Sequence, residues 1–152
     1  METSEKNAVP VGLDQMLCFA VYKAEQAFNR VYRQALEPLG LTYPQFLTMR
    51  LLWNEKSLSV GDISERLGLD SGTVTPLLKR LILMGLVKKA RRADDERRVD
   101  IFLTDEGRAL EQKSEAVMRC IAQAVAVERS EGADMLMTIN RLTANLTEAA
   151  KR

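Results

Sequence analysis

Two cysteines and a cluster of arginines are the side chains of this 152-residue chain with most chemistry to offer. A cysteine is a nucleophile and redox group through its thiolate. Cys18 and Cys120 lie too far apart in the sequence to read as a disulfide framework. Histidine is absent, which removes the commonest metal ligand and the usual general base. No zinc site and no Ser-His-Asp triad can be assembled, and no cofactor is expected. Charge is unevenly spread. The net charge is +1, yet between Ser71 and Arg98 the bases Lys79, Arg80, Lys88, Lys89, Arg91, Arg92, Arg97 and Arg98 oppose only Asp94, Asp95 and Glu96. A local excess of this kind suits a polyanion.

The hydrophobic pattern says which elements carry these groups. Leu17, Ala20, Val21, Ala24, Phe28, Val31 and Ala35 recur at helical spacing, predicting a long helix from Asp14 to about Leu39. Thr42-Tyr43-Pro44-Gln45 has a capping-box pattern and opens a second helix to about Trp53 or Asn54. A short third helix starts at Ser59, with Ile63 and Leu67 inward. Gly68-Leu69 breaks it. Asp70 to Thr73 offer caps for a fourth, through Leu77, Leu78, Leu81 and Ile82 to Gly85. Pro76 is expected to bend its first turn.

The period then changes to two in Val99–Leu103, preceded by Val87–Arg91, with polar Ala93–Glu96 between: a β-hairpin with arginines at its tip. Thr104-Asp105-Glu106 starts a helix to about Val127, striped by Leu110, Val117, Ile121, Ala124 and Val125. Glu131–Ala150 forms the last, striped by Leu136, Ile139, Leu142 and Leu146. The fold class is therefore mainly α with a small hairpin wing, a winged helix-turn-helix. The 46% hydrophobic and 28% charged composition is that of a soluble globular domain. No apolar run reaches the roughly 20 residues of a membrane span. The first residues lack the order of a signal peptide, so a cytoplasmic location is expected.

In such a fold the second helix of the pair enters the major groove of double-stranded DNA by its N-terminal end. Ser71, Thr73 and Thr75 stand there, with Lys79 and Arg80 one to two turns on. Arg91, Arg92, Arg97 and Arg98 on the wing can meet phosphates or a narrow minor groove. The plain alternative is that Ser71 and Thr73 merely cap the helix and the arginines form a solvated face.

The run Asp70-Ser71-Gly72-Thr73-Val74-Thr75-Pro76-Leu77-Leu78-Lys79-Arg80-Leu81, with Gly85-Leu86-Val87 and Asp94-Asp95-Glu96-Arg97-Arg98-Val99, resembles the MarR family from about Leu13 to Leu146. The resemblance implies a homodimer on a palindromic operator. Residues 1–40 and 105–152 would then dimerise, 41–104 would bind DNA, and Arg97 would be the minor-groove residue. Gln15–Tyr22 and Leu41–Phe46 are similar to the organic-hydroperoxide-sensing branch. That implies Cys18 as the reactive thiol, with Tyr32 and Tyr43 as the tyrosines that hydrogen-bond it. Met16, Phe19 and Phe46 could supply an apolar lining for an organic hydroperoxide.

Cys18 and Tyr32 are 14 residues apart, about 21 Å along one helix, so they can meet only across an antiparallel partner helix. Some members of the branch carry a second cysteine in the fifth helix. Cys120 lies in that helix, about one turn early and within an apolar stripe. Either it resolves the oxidised Cys18 or a low-molecular-weight thiol does. The expected function is a repressor, not an enzyme, that leaves DNA when Cys18 is oxidised. The rivals are a regulator released by a small aromatic ligand and a thiol peroxidase.

Overall fold

The computed structural model describes residues 12–152; residues 1–11, expected to belong to the dimerising region, lie outside the described residues. A 3-10 turn at Leu13–Gln15 precedes α1 (Leu17–Leu36), and a second, Glu37–Leu39, follows it. Then come α2 (Tyr43–Asn54), α3 (Val60–Leu67), α4 (Ser71–Leu83), β1 (Val87–Arg91), β2 (Val99–Leu103), α5 (Asp105–Val125) and α6 (Arg129–Ala149). The winged helix-turn-helix read from the sequence is present, with helix ends within a few residues of expectation.

The first helix is shorter than its periodicity suggests. Met16 is extended and acts as its N-cap, which makes Cys18 the second helical residue. At the other end Pro38, which has no N–H to donate, falls in the 3-10 turn instead of the α-helix. Pro76 does not interrupt α4, which runs unbroken past it. The caps are built from side chains. Thr42 with Gln45 and Ser59 with Asp62 form complete capping boxes on α2 and α3. Asp70 accepts from the Thr73 amide at 2.8 Å. Between α3 and α4 the chain turns through Gly68 at φ 64°, a left-handed conformation that glycine adopts without a Cβ penalty.

Two compact units are present, the first ending at Ile121 and the second comprising Ala122–Arg152. The core of the first gathers Leu36 of α1, Phe46, Met49 and Leu52 of α2, Ile63 of α3, Val74 and Leu81 of α4, and Ile101 of β2. The strands pair antiparallel with Val87 opposite Leu103 and Arg91 opposite Val99. Leu58 exchanges two backbone hydrogen bonds with Ile101, which ties the hairpin to the segment before α3. Val117 and Ile121 of α5 join the same core.

Gly107 of α5 is packed so closely that a β-carbon there would collide with the Leu86 carbonyl. Its own carbonyl accepts from Trp53 Nε1 at 2.9 Å. Gly107→Ala is therefore expected to cost about 1–3 kcal/mol, lowering the melting temperature by roughly 5 °C. An unchanged thermal melt would contradict this packing.

In the second unit α6 buries none of its residues, and Met135, Leu136, Ile139 and Leu146 are exposed. Among the described residues no helix is long and apolar enough to cross a membrane.

Candidate nucleic-acid interface and thiol site

Helix α4 buries Val74, Leu77, Leu78 and Leu81 and exposes Ser71, Thr73, Thr75, Lys79 and Arg80. The capping oxygen belongs to Asp70, so the hydroxyls of Ser71 and Thr73 are not spent on the cap. All five sequence-predicted polar residues of this helix are exposed, with Ser71, Thr75 and Lys79 on one side and Thr73 and Arg80 on the side nearer the start of α2.

The wing arginines are not equivalent. Arg97 at the tip is 97% exposed, with the Asp95 carboxylate 3.8 Å away. Arg91 donates to the Glu96 carbonyl at 2.7 Å. Arg92 grips Asp94 with two hydrogen bonds of 2.6 and 2.8 Å. That pairing raises the Arg92 pKa and holds the Asp94 carboxyl below its ordinary value. Arg92 also approaches Asp100 at 3.6 Å, and Arg98 lies between Asp62 (3.6 Å) and Asp100 (4.0 Å). Asp62 titrates below the usual carboxylate range, chiefly because the Ser59 side chain and backbone donate to it, with Arg98 assisting. Of the four wing arginines, Arg91, Arg92 and Arg98 are more firmly engaged within the chain, and Arg97 is the most exposed.

Cys18 is exposed in the first turn of α1. Phe19 stacks on Tyr22 with centroids 6.5 Å apart, and Lys23 sits 5.0 Å over the Phe19 ring. Tyr22 was not among the residues expected from the sequence. It lies four residues after Cys18, one turn along the same face, and the spacing alone was enough to find it. Leu17, Val21, Tyr22 and Phe28 leave an apolar stripe of α1 uncovered in the single chain.

The structure brings Tyr32 and Tyr43 together, stacked with centroids 4.0 Å apart. Burial pushes the Tyr32 phenol up to about 12, Tyr43 adds to the shift and Arg50 opposes it. Tyr32 therefore remains a neutral hydroxyl, able to donate, across the neutral pH range. Phe46 does not stand on an open pocket wall: it is 1% exposed in the core. It lies beneath Tyr32 at 6.0 Å and edge-on to Trp53 at 6.1 Å. Met16 is exposed and Phe19 half-buried.

Cys120 is also exposed. It lines a groove of about 400 Å³ with Ala35, Pro38 and Leu39, just past the C-terminal end of α1, and with Lys113, Ala116 and Val117. Cys18 is at the other end of α1, about 26 Å from Ala35 along the axis. Disulfide Cα atoms are roughly 4.4–6.8 Å apart. The two thiols cannot pair within one chain. Among the described residues no group of three or more His, Cys, Asp or Glu side chains is placed to hold a metal ion.

The model of the transcriptional regulator family SarA/Rot matches residues 30–114. The chain is 56% identical over 108 residues to the HTH-type transcriptional regulator TtmR of Methylorubrum extorquens (strain PA1), covering 71% of this chain and 55% of that relative's length. It is 42% identical over 102 residues to the organic hydroperoxide resistance transcriptional regulator of Bacillus subtilis (strain 168), covering 67% of this chain and 69% of the relative. The crystal structure of AbfR of Staphylococcus epidermidis matches with 35% identity and a TM-score of 0.74, over 90% of this chain and 94% of that one. Reduced AbfR bound to DNA matches equally, at 0.74 with 34% identity over 90% and 93%. With its disulfide formed, AbfR matches at 0.62, with 32% identity over 92% and 93%. The chain belongs to the SarA/Rot family of transcriptional regulators, built here on a winged helix-turn-helix.

Proposed function

We propose that this regulator is a homodimeric repressor that senses organic hydroperoxides through Cys18 and then releases a palindromic operator in the cytoplasm. The observation that carries the reading is the arrangement along α1. An exposed thiol stands at its start, buried Tyr32 stacked on half-buried Tyr43 of α2 near its end, and an uncovered apolar stripe between them. Two such helices packed antiparallel across a two-fold axis bring each Cys18 to the partner's tyrosine pair and cover both stripes. The exposed apolar residues of α6 supply further surface for the same purpose. The α1, α5 and α6 helices then dimerise, and residues 41–104 meet DNA through the exposed side chains of α4 and Arg97. Kinship with the Bacillus organic hydroperoxide regulator and with AbfR in reduced, DNA-bound and disulfide-formed states supports this.

The chemistry balances without a cofactor. The Cys18 thiolate attacks the terminal hydroperoxide oxygen, and the S–O bond forms as the O–O bond breaks, which makes Cys18 a sulfenic acid. The alkoxide leaves as the alcohol by taking up the proton that the thiol gave up on ionising. Tyr22, Tyr32 and Tyr43 can donate to the departing oxygen. A second thiol then attacks sulfur and water leaves, so that a disulfide remains. That thiol is Cys120 of the partner or a low-molecular-weight thiol. The lower likeness to disulfide-formed AbfR supports a rearrangement at this step. Each Cys18 consumes one hydroperoxide, in contrast to a peroxidase, which turns over.

The test is release of a bound duplex, followed by fluorescence anisotropy. One equivalent of cumene hydroperoxide per Cys18 is expected to free the DNA, and dithiothreitol to restore binding. Release by an aromatic acid under reducing conditions, with none by hydroperoxide, would favour a ligand-gated regulator instead.

A further inference from the structure

The strand pattern of β2 contains an exception. Val99, Ile101 and Leu103 alternate as a half-buried strand requires, which should turn Asp100 to solvent. Asp100 is instead 1% exposed. Its Oδ2 accepts from Ser57 Oγ at 2.9 Å, while Oδ1 has no hydrogen-bond partner among the described residues. The guanidinium groups of Arg92 and Arg98, from opposite ends of the wing loop, converge on it at 3.6 and 4.0 Å. The backbone closes the same loop, with the Arg92 amide donating to the Arg98 carbonyl at 2.9 Å. Arg98 in turn reaches Asp62 in the first turn of α3.

A carboxylate taken out of water is costly unless paired. The guanidinium groups of the two arginines screen this one. They cannot swing freely without exposing an unpaired buried charge. Arg97 sits immediately before Arg98, and the loop that carries it is closed over Asp100.

We propose that Asp100 is the positioning residue of the wing: by gathering Arg92 and Arg98 it fixes where Arg97 meets DNA. This inference rests on the DNA-binding reading above. It also assigns Arg92 and Arg98 an internal task and leaves the groove contact to Arg97.

Charge and positioning predict opposite signs. Asp100→Asn removes a buried negative charge from beneath the basic wing, so by charge alone it would tighten binding to phosphates. If Asp100 positions the wing, binding weakens about 10-fold. The probe is a duplex selected from random sequence by the wild-type protein, with affinities measured by anisotropy. Arg97→Ala is expected to lose about 10-fold as well. The double variant should fall less than about 3-fold below either single one, because both remove the same contact; independent effects would multiply to about 100-fold. Asp100→Asn binding as tightly as wild type or tighter, or losses that multiply, would overturn the proposal. So would Arg97→Ala binding as wild type.

If Asp100→Asn does not fold, Ser57→Ala carries the test. It strips the carboxylate of its hydrogen bond but keeps its charge. A several-fold loss that vanishes in the Arg97→Ala background supports the proposal, and wild-type binding overturns it. A wild-type protein that selects no duplex refutes the DNA-binding reading itself, an outcome distinct from all of these.

Discussion

Cys18→Ser protein is expected to bind its duplex within about two-fold of wild type and to remain bound when an organic hydroperoxide is added. The substitution changes sulfur to oxygen at an exposed position in the first turn of α1, so folding and the basic surface of α4 and the wing are untouched. What is lost is the nucleophile. A serine hydroxyl without an adjacent base does not open an O–O bond, and no histidine is available to supply one. Wild-type protein under the same treatment should fall toward its non-specific affinity, on the order of 10³-fold weaker. A palindrome is held only while both recognition helices enter grooves about one turn apart. A Cys18→Ser protein that still dissociates would remove Cys18 from the mechanism.

Phe46→Ala should give the largest loss of stability. The side chain is among the largest that are fully buried, and its ring lies against Tyr32 and Trp53. Deleting such a ring costs about 3–5 kcal/mol through lost transfer energy and the cavity left behind. Against a total of about 5–15 kcal/mol that is a large share, and the melting temperature should drop by roughly 10 °C or more. The floor beneath the tyrosine pair goes with it, so the response to hydroperoxide should slow in whatever protein remains folded. The melt is measured by circular dichroism. A loss under about 1 kcal/mol would mean that Phe46 lines an open pocket after all.

Much of the fold is legible because local and tertiary signals agree. The capping residues Thr42, Ser59 and Asp70 announce their helices within a turn. The change from helical to strand period at Val99 announces the hairpin. The site is legible only in part. Cys18, Tyr32 and Tyr43 are single residues whose meaning rests on a resemblance, and the distance from Cys18 to Tyr32 along α1 means that the proposed thiol–tyrosine contact needs a second chain. Phe46 reads equally well as core or as pocket lining, since an apolar side chain beside a cap carries no label; burial decides it. Asp100 could not be found by pattern. Alternation puts it outside, and only the return path of the wing folds two arginines over it. The internal pairing of Arg92 and Arg98 has the same origin, because a run of basic residues does not say which acids the loop will bring near.

The most direct test of the account is intact mass with non-reducing electrophoresis after one equivalent of organic hydroperoxide, on wild type, Cys18→Ser and Cys120→Ser. A covalent dimer that forms in wild type and is lost in both variants is predicted if Cys120 resolves the sulfenic acid. Without a crosslink, a mass gain at Cys18 is expected that grows by a mixed disulfide when a small thiol is present. Wild-type protein that releases its duplex while Cys18 remains an unmodified thiol would contradict the central claim.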